Sequence, residues 1–145
     1  MFPPKSKFLV VDDMRTMRSV INKGLRALGY QDVEEANDGA QAWRMLETSV
    51  VKNVLYNLII SDWTMPKVTG LELLKKVREH PVLKSLPFLM VTGESDMEQV
   101  KEAIAAGVTN YVTKPFTQDT FKAKIAAVWK VAEKTQKTGD LIDLG

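Results

Sequence analysis

Five times along this chain a short strand-like run, apolar in character except for Val33–Ala36 with its Glu34 and Glu35, gives way to apolar positions spaced three and four apart. The runs are Phe8–Val11, Val33–Ala36, Leu58–Ile60, Phe88–Val91 and Tyr111–Thr113. Runs this short and β-branched read as strands buried on both faces, although periodicity by itself does not separate them from buried helix. Strands alternating with helices through short connections imply a parallel sheet covered on both sides, with right-handed crossovers. The expected fold class is therefore α/β.

The intervening stretches carry helix signals. Met17, Val20, Ile21, Leu25 and Leu28 form one stripe, and Gly29 stands where it caps that helix. Gly24 lies inside it, at a propensity cost of about 1 kcal/mol relative to Ala that no local signal explains. After the Asn37-Asp38-Gly39 turn, Ala42, Trp43 and Leu46 point inward, and the spacing continues through Val50 and Val54 to about Leu55. The third helix follows Thr69-Gly70, buries Leu73, Leu74 and Val77, and ends before Pro81. Ser95 and Glu98 have capping-box spacing ahead of Val100, Ala103 and Ile104, with Gly107 at the far end. Thr117 is placed to cap the last helix, whose stripe is Phe121, Ile125, Val128 and Ala132. Residues 1–6 read as a flexible arm, 7–135 as one domain and 136–145 as a flexible tail. Neither a linker nor a second domain is expected within these residues.

Bulk properties remove several classes. A chain of 145 residues, 45% hydrophobic and 26% charged, suits a single globular domain with a sizeable core. The net charge of +2 is too small to argue for a nucleic-acid or membrane surface. With no cysteine and only His80, disulfides, thiolate sites and multi-histidine zinc sites are out. The start, Met1-Phe2-Pro3-Pro4-Lys5, lacks the apolar core of a signal peptide, and no run is long enough to span a bilayer, so the expected location is cytoplasmic.

In a parallel sheet all strands point one way, and the residues just past them gather on one rim, where open α/β sheets place their chemistry. Here those residues are Asp12 and Asp13, Asp62, Thr92 and Lys114. Taken singly, each has a plain alternative: Asp12-Asp13 as a helix N-cap pair, Thr92 as a strand-end hydroxyl, Lys114 as a solvated lysine. Together, three carboxylates in one cleft repel one another unless a cation joins them. Oxygen-only ligands suit Mg²⁺, which retains waters and phosphate oxygens. A hydroxyl and an ammonium are the right types to hold phosphoryl oxygens, and an Asp carboxylate can itself be the nucleophile, forming an acyl phosphate.

Phe8-Leu9-Val10-Val11-Asp12-Asp13, Ile60-Ser61-Asp62-Trp63-Thr64-Met65-Pro66, Leu89-Met90-Val91-Thr92-Gly93 and Tyr111-Val112-Thr113-Lys114-Pro115-Phe116 resemble, in family order, the receiver domain of two-component response regulators, and within it the single-domain chemotaxis regulators. The resemblance spans roughly residues 5–135. It implies a flavodoxin-like fold with a sheet of order 2-1-3-4-5. It implies Asp62 as phosphoacceptor and Mg²⁺ held by Asp13, Asp62 and the carbonyl of Thr64, with Asp12 acting largely through water. It implies Thr92 and Lys114 on the phosphoryl oxygens and a cis Lys114–Pro115 peptide. Tyr111, which otherwise reads as a half-buried strand tyrosine, matches an aromatic that moves inward when Thr92 moves toward the phosphate. The implied partners are a histidine kinase as phosphodonor, an output protein such as a flagellar motor switch component, and a phosphatase, acting on a monomeric non-enzyme. The output face would be that of the fourth helix, fifth strand and fifth helix.

The chain departs from that pattern in places. Residues Thr48 to Tyr56 lengthen the second helix or its exit. Thr64 and Glu94 occupy the positions that tune phosphate lifetime, and Thr64 stands where enteric-type members carry Asn. Asp96 and Met97 replace a basic pair, which alters the electrostatic match to a motor partner. Other readings make the chain a phosphorelay intermediate feeding a histidine phosphotransfer protein, or a pseudo-receiver that docks without phosphate. A haloacid-dehalogenase-like phosphatase wants a second acid after Asp62-Trp63, where Thr64 stands. A flavin or nucleotide binder wants a Ser/Thr/Gly-rich loop in place of Asp12-Asp13.

Overall fold

The structure, a computed structural model, describes residues 1–93 and 97–144, with side chains described through residue 134. In chain order the elements are β1 (Lys7–Val11), α1 (Arg15–Ala27), β2 (Asp32–Ala36), α2 (Gly39–Lys52), β3 (Leu58–Asp62), α3 (Gly70–Glu79), β4 (Phe88–Gly93), α4 (Met97–Ala105), β5 (Asn110–Lys114) and α5 (Gln118–Leu144). The strands form one parallel sheet of order β2-β1-β3-β4-β5. Registers such as Val11↔Ser61, Asp62↔Val91 and Thr92↔Thr113 bring the carboxyl ends of the inner strands to a common edge.

Strand side chains alternate between faces. Leu9, Val11, Ile59 and Met90 join Leu46, Leu73, Leu74 and Ala103 under α2, α3 and α4. Phe8, Val10, Leu58, Ile60, Leu89 and Val91 join Ile21, Leu25, Phe121, Ile125 and Val128 under α1 and α5. Because both faces of β1, β3 and β4 are covered, Phe8–Val11, Leu58–Ile60 and Phe88–Val91 are continuously apolar rather than alternating. Among the described residues no helix is long and apolar enough to cross a membrane.

Helix ends follow the chemistry of their caps. Asp38 accepts from the Gln41 N–H at 2.7 Å to start α2, Thr69 and Glu72 form a capping box on α3, and Thr117 Oγ1 accepts from the Thr120 N–H at 3.1 Å. After α1, Tyr30 N donates to Leu25 O and Gly29 N to Arg26 O, with Gly29 at φ 96°. This closes the helix in a left-handed turn that glycine enters without strain. Ser95, its expected capping box and Glu94 lie outside the described residues.

Several expectations need correction. Val20 is 52% exposed and Ile104 61% exposed; each stands one position off a buried stripe whose width is set by the elements alongside. Val54 is not on α2: Asn53 takes a left-handed conformation at φ 56° and ends the helix, so Val54 lies past it and is exposed. The first residues are not a loose arm. Phe2 is only 4% exposed, its ring lies 5.6 Å from Phe8 and 5.1 Å from Trp129, and Tyr30 donates its hydroxyl proton to the Phe2 carbonyl at 2.8 Å. The backbone of α5 is helical to Leu144, running past Ala132, the last residue of the expected stripe, and through most of the 136–145 stretch read as a flexible tail; no proline interrupts that stretch, and Gly139 alone does not break it. Gly24 also receives its reason: a Cβ there would lie 3.0 Å from Gln118 Oε1 and 3.1 Å from the Phe121 ring, so α5 crosses α1 at this point.

Candidate functional site

Asp12 follows β1 directly, its N–H donating to Ala36 O at 3.2 Å. It is fully buried. Oδ1 accepts from the Met14 N–H at 2.8 Å, while Oδ2 is buried with no hydrogen-bond partner. Burial pushes its pKa from the ordinary 3.8 up to about 6; the charges of Asp62 and Asp13 push the same way, and the Met14 N–H and Lys114 oppose them. A carboxylate that is dehydrated and half-unsatisfied is a group arranged for a cation.

Asp62 ends β3 and is 5% exposed. Its Oδ1 accepts from the Trp63 N–H at 2.9 Å and from Lys114 Nζ at 3.0 Å. Lys114 reaches it from the end of β5, where the Lys114–Pro115 peptide is cis. Asp12, Asp13 and Asp62 each offer a carboxylate oxygen, and these lie within 4.8 Å of one another. The all-oxygen set fits Mg²⁺, and the orphaned Asp12 Oδ2 is the atom that most needs it. Thr92, on β4, is fully buried, and its Oγ1 also has no hydrogen-bond partner. The rim thus holds three acids, one ammonium and one uncommitted hydroxyl, which suits accepting a phosphoryl group rather than redox or thiol chemistry.

The remaining expected residues are placed as follows. Thr64 is exposed two residues past Asp62. Tyr111 is half-buried on β5 and packs against the core under α2, α3 and α4. Sequence reasoning missed two supporting residues. Arg18 Nη1 donates to Asp12 O at 2.8 Å, and its Nε pairs with Glu35 at 3.0 Å, which ties α1 and β2 to the backbone of the acid cluster. A lone cation on a helix carries no signal of that role. Gly70 donates its N–H to Trp63 O at 2.8 Å, and a Cβ there would overlap Asp62 O, so α3 begins directly against the backbone of Asp62 and Trp63.

A doubly wound parallel sheet with this rim defines a receiver-type signalling domain. Residues 8–126 match the family model described as response regulator receiver domain. The chain is 45% identical over 122 residues to chemotaxis protein CheY1 of Helicobacter pylori, covering 84% of this chain and 95% of that protein. It is 42% identical over 124 residues to CheY-3 of Vibrio cholerae, covering 86% and 92%. Among solved structures, the chemotaxis response regulator CheY4 of Vibrio cholerae superposes with TM-score 0.74 at 35% identity, covering 86% of this chain and 98% of that one. The chain belongs to the response regulator receiver family, whose members are two-component phosphoacceptor switches that typically bind Mg²⁺ at an acidic pocket. Its activity is therefore phosphorylation-dependent signalling.

Proposed function

We propose that Asp62 accepts a phosphoryl group from the phosphohistidine of a histidine kinase, and that the resulting acyl phosphate resets a binding face. The observation that carries this is the rim geometry: Lys114 Nζ stands 3.0 Å from Asp62 Oδ1, and Thr92 Oγ1 is buried without a partner. An Asp62 oxygen attacks phosphorus, the P–O bond forms as the P–N bond breaks, and the imidazole leaves with a proton. Lys114 offsets charge on the transferred group. Asp12, Asp13 and Asp62, with the Thr64 carbonyl, would hold Mg²⁺, which when bound neutralises charge on the phosphoryl oxygens.

Thr92 and Tyr111 lie on one face of the sheet, through the register pairs Thr92↔Thr113 and Met90↔Tyr111. Movement of the Thr92 hydroxyl toward a phosphoryl oxygen opens room on that face, and Tyr111 packs into it. The surface of α4, β5 and α5 then changes affinity for a partner, as a population shift between two arrangements. Similarity to proteins named for chemotaxis supports a flagellar motor component as that partner and a cytoplasmic location.

The test is intact-mass spectrometry after incubation with acetyl phosphate, with and without Mg²⁺, on wild type and Asp62→Asn. One Mg²⁺-dependent phosphoryl adduct, absent in the variant, is expected. No adduct on wild type would make the chain a docking module that signals without phosphate.

A further inference from the structure

β5 is an edge strand, with β4 on one side and, among the described residues, no strand on the other. Its exposed edge lets a side chain of α5, which covers the α1 side of the sheet, reach round to a residue facing the α4 side. Lys124 does this: its Nζ lies 4.9 Å from the Tyr111 ring centroid and donates to Asn110 Oδ1 at 3.4 Å. The same Asn110 oxygen accepts from the Tyr111 N–H at 2.8 Å. One carboxamide thus ties the tyrosine backbone to the ammonium that covers its ring. Two other lysine–aromatic pairs among the described residues belong to structural contacts: Lys7 over Tyr56 is also ion-paired with Glu34 at 2.8 Å, and Lys76 lies over the half-buried Trp43 between α2 and α3. Lys124 makes no ion pair among the described residues, so its charge is directed at the ring and at Asn110 alone.

We propose that Lys124 is a positioning residue for Tyr111, holding the ring in its half-buried place by cation–π attraction and so setting how often the domain visits its activated arrangement. The proposal rests on the reading of Tyr111 as the group that moves. Its sign follows from the geometry. The ammonium is anchored on α5, outside the sheet edge, and a ring that packs deeper beneath α4 moves away from it. Lys124 therefore opposes the inward position, by the two- to five-fold that roughly 0.5–1 kcal/mol, the weak end of the cation–π range, represents for this half-buried pair. If phosphorylation requires the inward population, that factor appears in the phosphorylation rate.

Lys124→Met removes the charge and keeps an unbranched apolar side chain, whereas Lys124→Arg keeps the charge. Two readouts are taken on the Mg²⁺-loaded protein: the Tyr111 ring signals by NMR and the rate of adduct formation with acetyl phosphate by intact mass. The Met variant is expected to move the ring signals and raise the rate about two- to five-fold, with Arg restoring both. The proposal falls if the Met variant matches wild type in both readouts, or if Arg behaves like Met, which would assign the effect to the side-chain stem. If wild type forms no adduct, the phosphoacceptor reading fails, and the ring signals of the two variants still decide the clamp.

Discussion

Replacing Asp12 by Asn should stabilise the metal-free protein, although it removes a charge from the site. Asp12 is fully buried, its Oδ2 has no partner, and its pKa rises from 3.8 to about 6, first because of burial. A group whose pKa is higher folded than unfolded binds its proton more tightly in the folded state. Its contribution favours folding most below the unfolded value and is lost as pH rises through the folded one. At pH 8 the folded protein therefore carries an ionised, dehydrated carboxylate, and at about 1.4 kcal/mol per pH unit the penalty reaches about 3 kcal/mol. Asn keeps the acceptor for the Met14 N–H and carries no charge. For a domain of this size the gain corresponds to roughly 6–12 °C in melting temperature. Thermal unfolding followed by circular dichroism in excess chelator, at pH 8 and pH 5, reads it directly. The gain should shrink to about half at pH 5, where most of the folded Asp12 is already protonated. Excess Mg²⁺ should stabilise wild type more than the variant, because binding to the folded state adds to its stability. A variant no more stable than wild type at pH 8, or a gain that does not shrink on acidification, refutes the reasoning.

Two further substitutions probe the packing. Phe2→Ala should lower unfolding free energy by about 3 kcal/mol in denaturant titrations, as expected for a buried aromatic, whereas a dangling arm would register no change. Gly24→Ala should destabilise by about 1 kcal/mol despite the better helix propensity of Ala, because its Cβ meets the packed Phe121 ring at 3.1 Å; a gain in stability would show that α5 yields.

The rim was legible because parallel topology does most of the work. Once the five short runs are read as strands pointing one way, whatever follows them shares an edge, and Asp12, Asp13, Asp62, Thr92 and Lys114 are read off without any tertiary information. The same reasoning is blind at the opposite edge. Nothing in Met1-Phe2-Pro3-Pro4 says that Phe2 will insert between Phe8 and Trp129, because those partners lie 6 and 127 residues away in sequence and meet only after the sheet closes. Gly24 had no local account for the same reason: what it accommodates is Gln118 and Phe121, from the far end of the chain. Arg18 and Lys124 were overlooked because a cation on a helix usually faces water, and their roles depend on which strand lies beside that helix.

One local irregularity does point at function. α2 and α3 begin with side-chain caps, from Asp38 and from Thr69 with Glu72. α1 begins at Met14 with no side-chain cap and no acid in its first turn, against the usual preference for both. The reason lies two residues upstream. The Met14 N–H donates back to Asp12 Oδ1, so the carboxylate that belongs to the acid cluster also satisfies the start of the helix. A further acid in that turn would add charge beside three carboxylates already within 4.8 Å of one another and push Asp12 still higher. The helix therefore starts on residues that are poor for helix starts, and the local cost keeps an ionisable cluster within reach of a divalent cation.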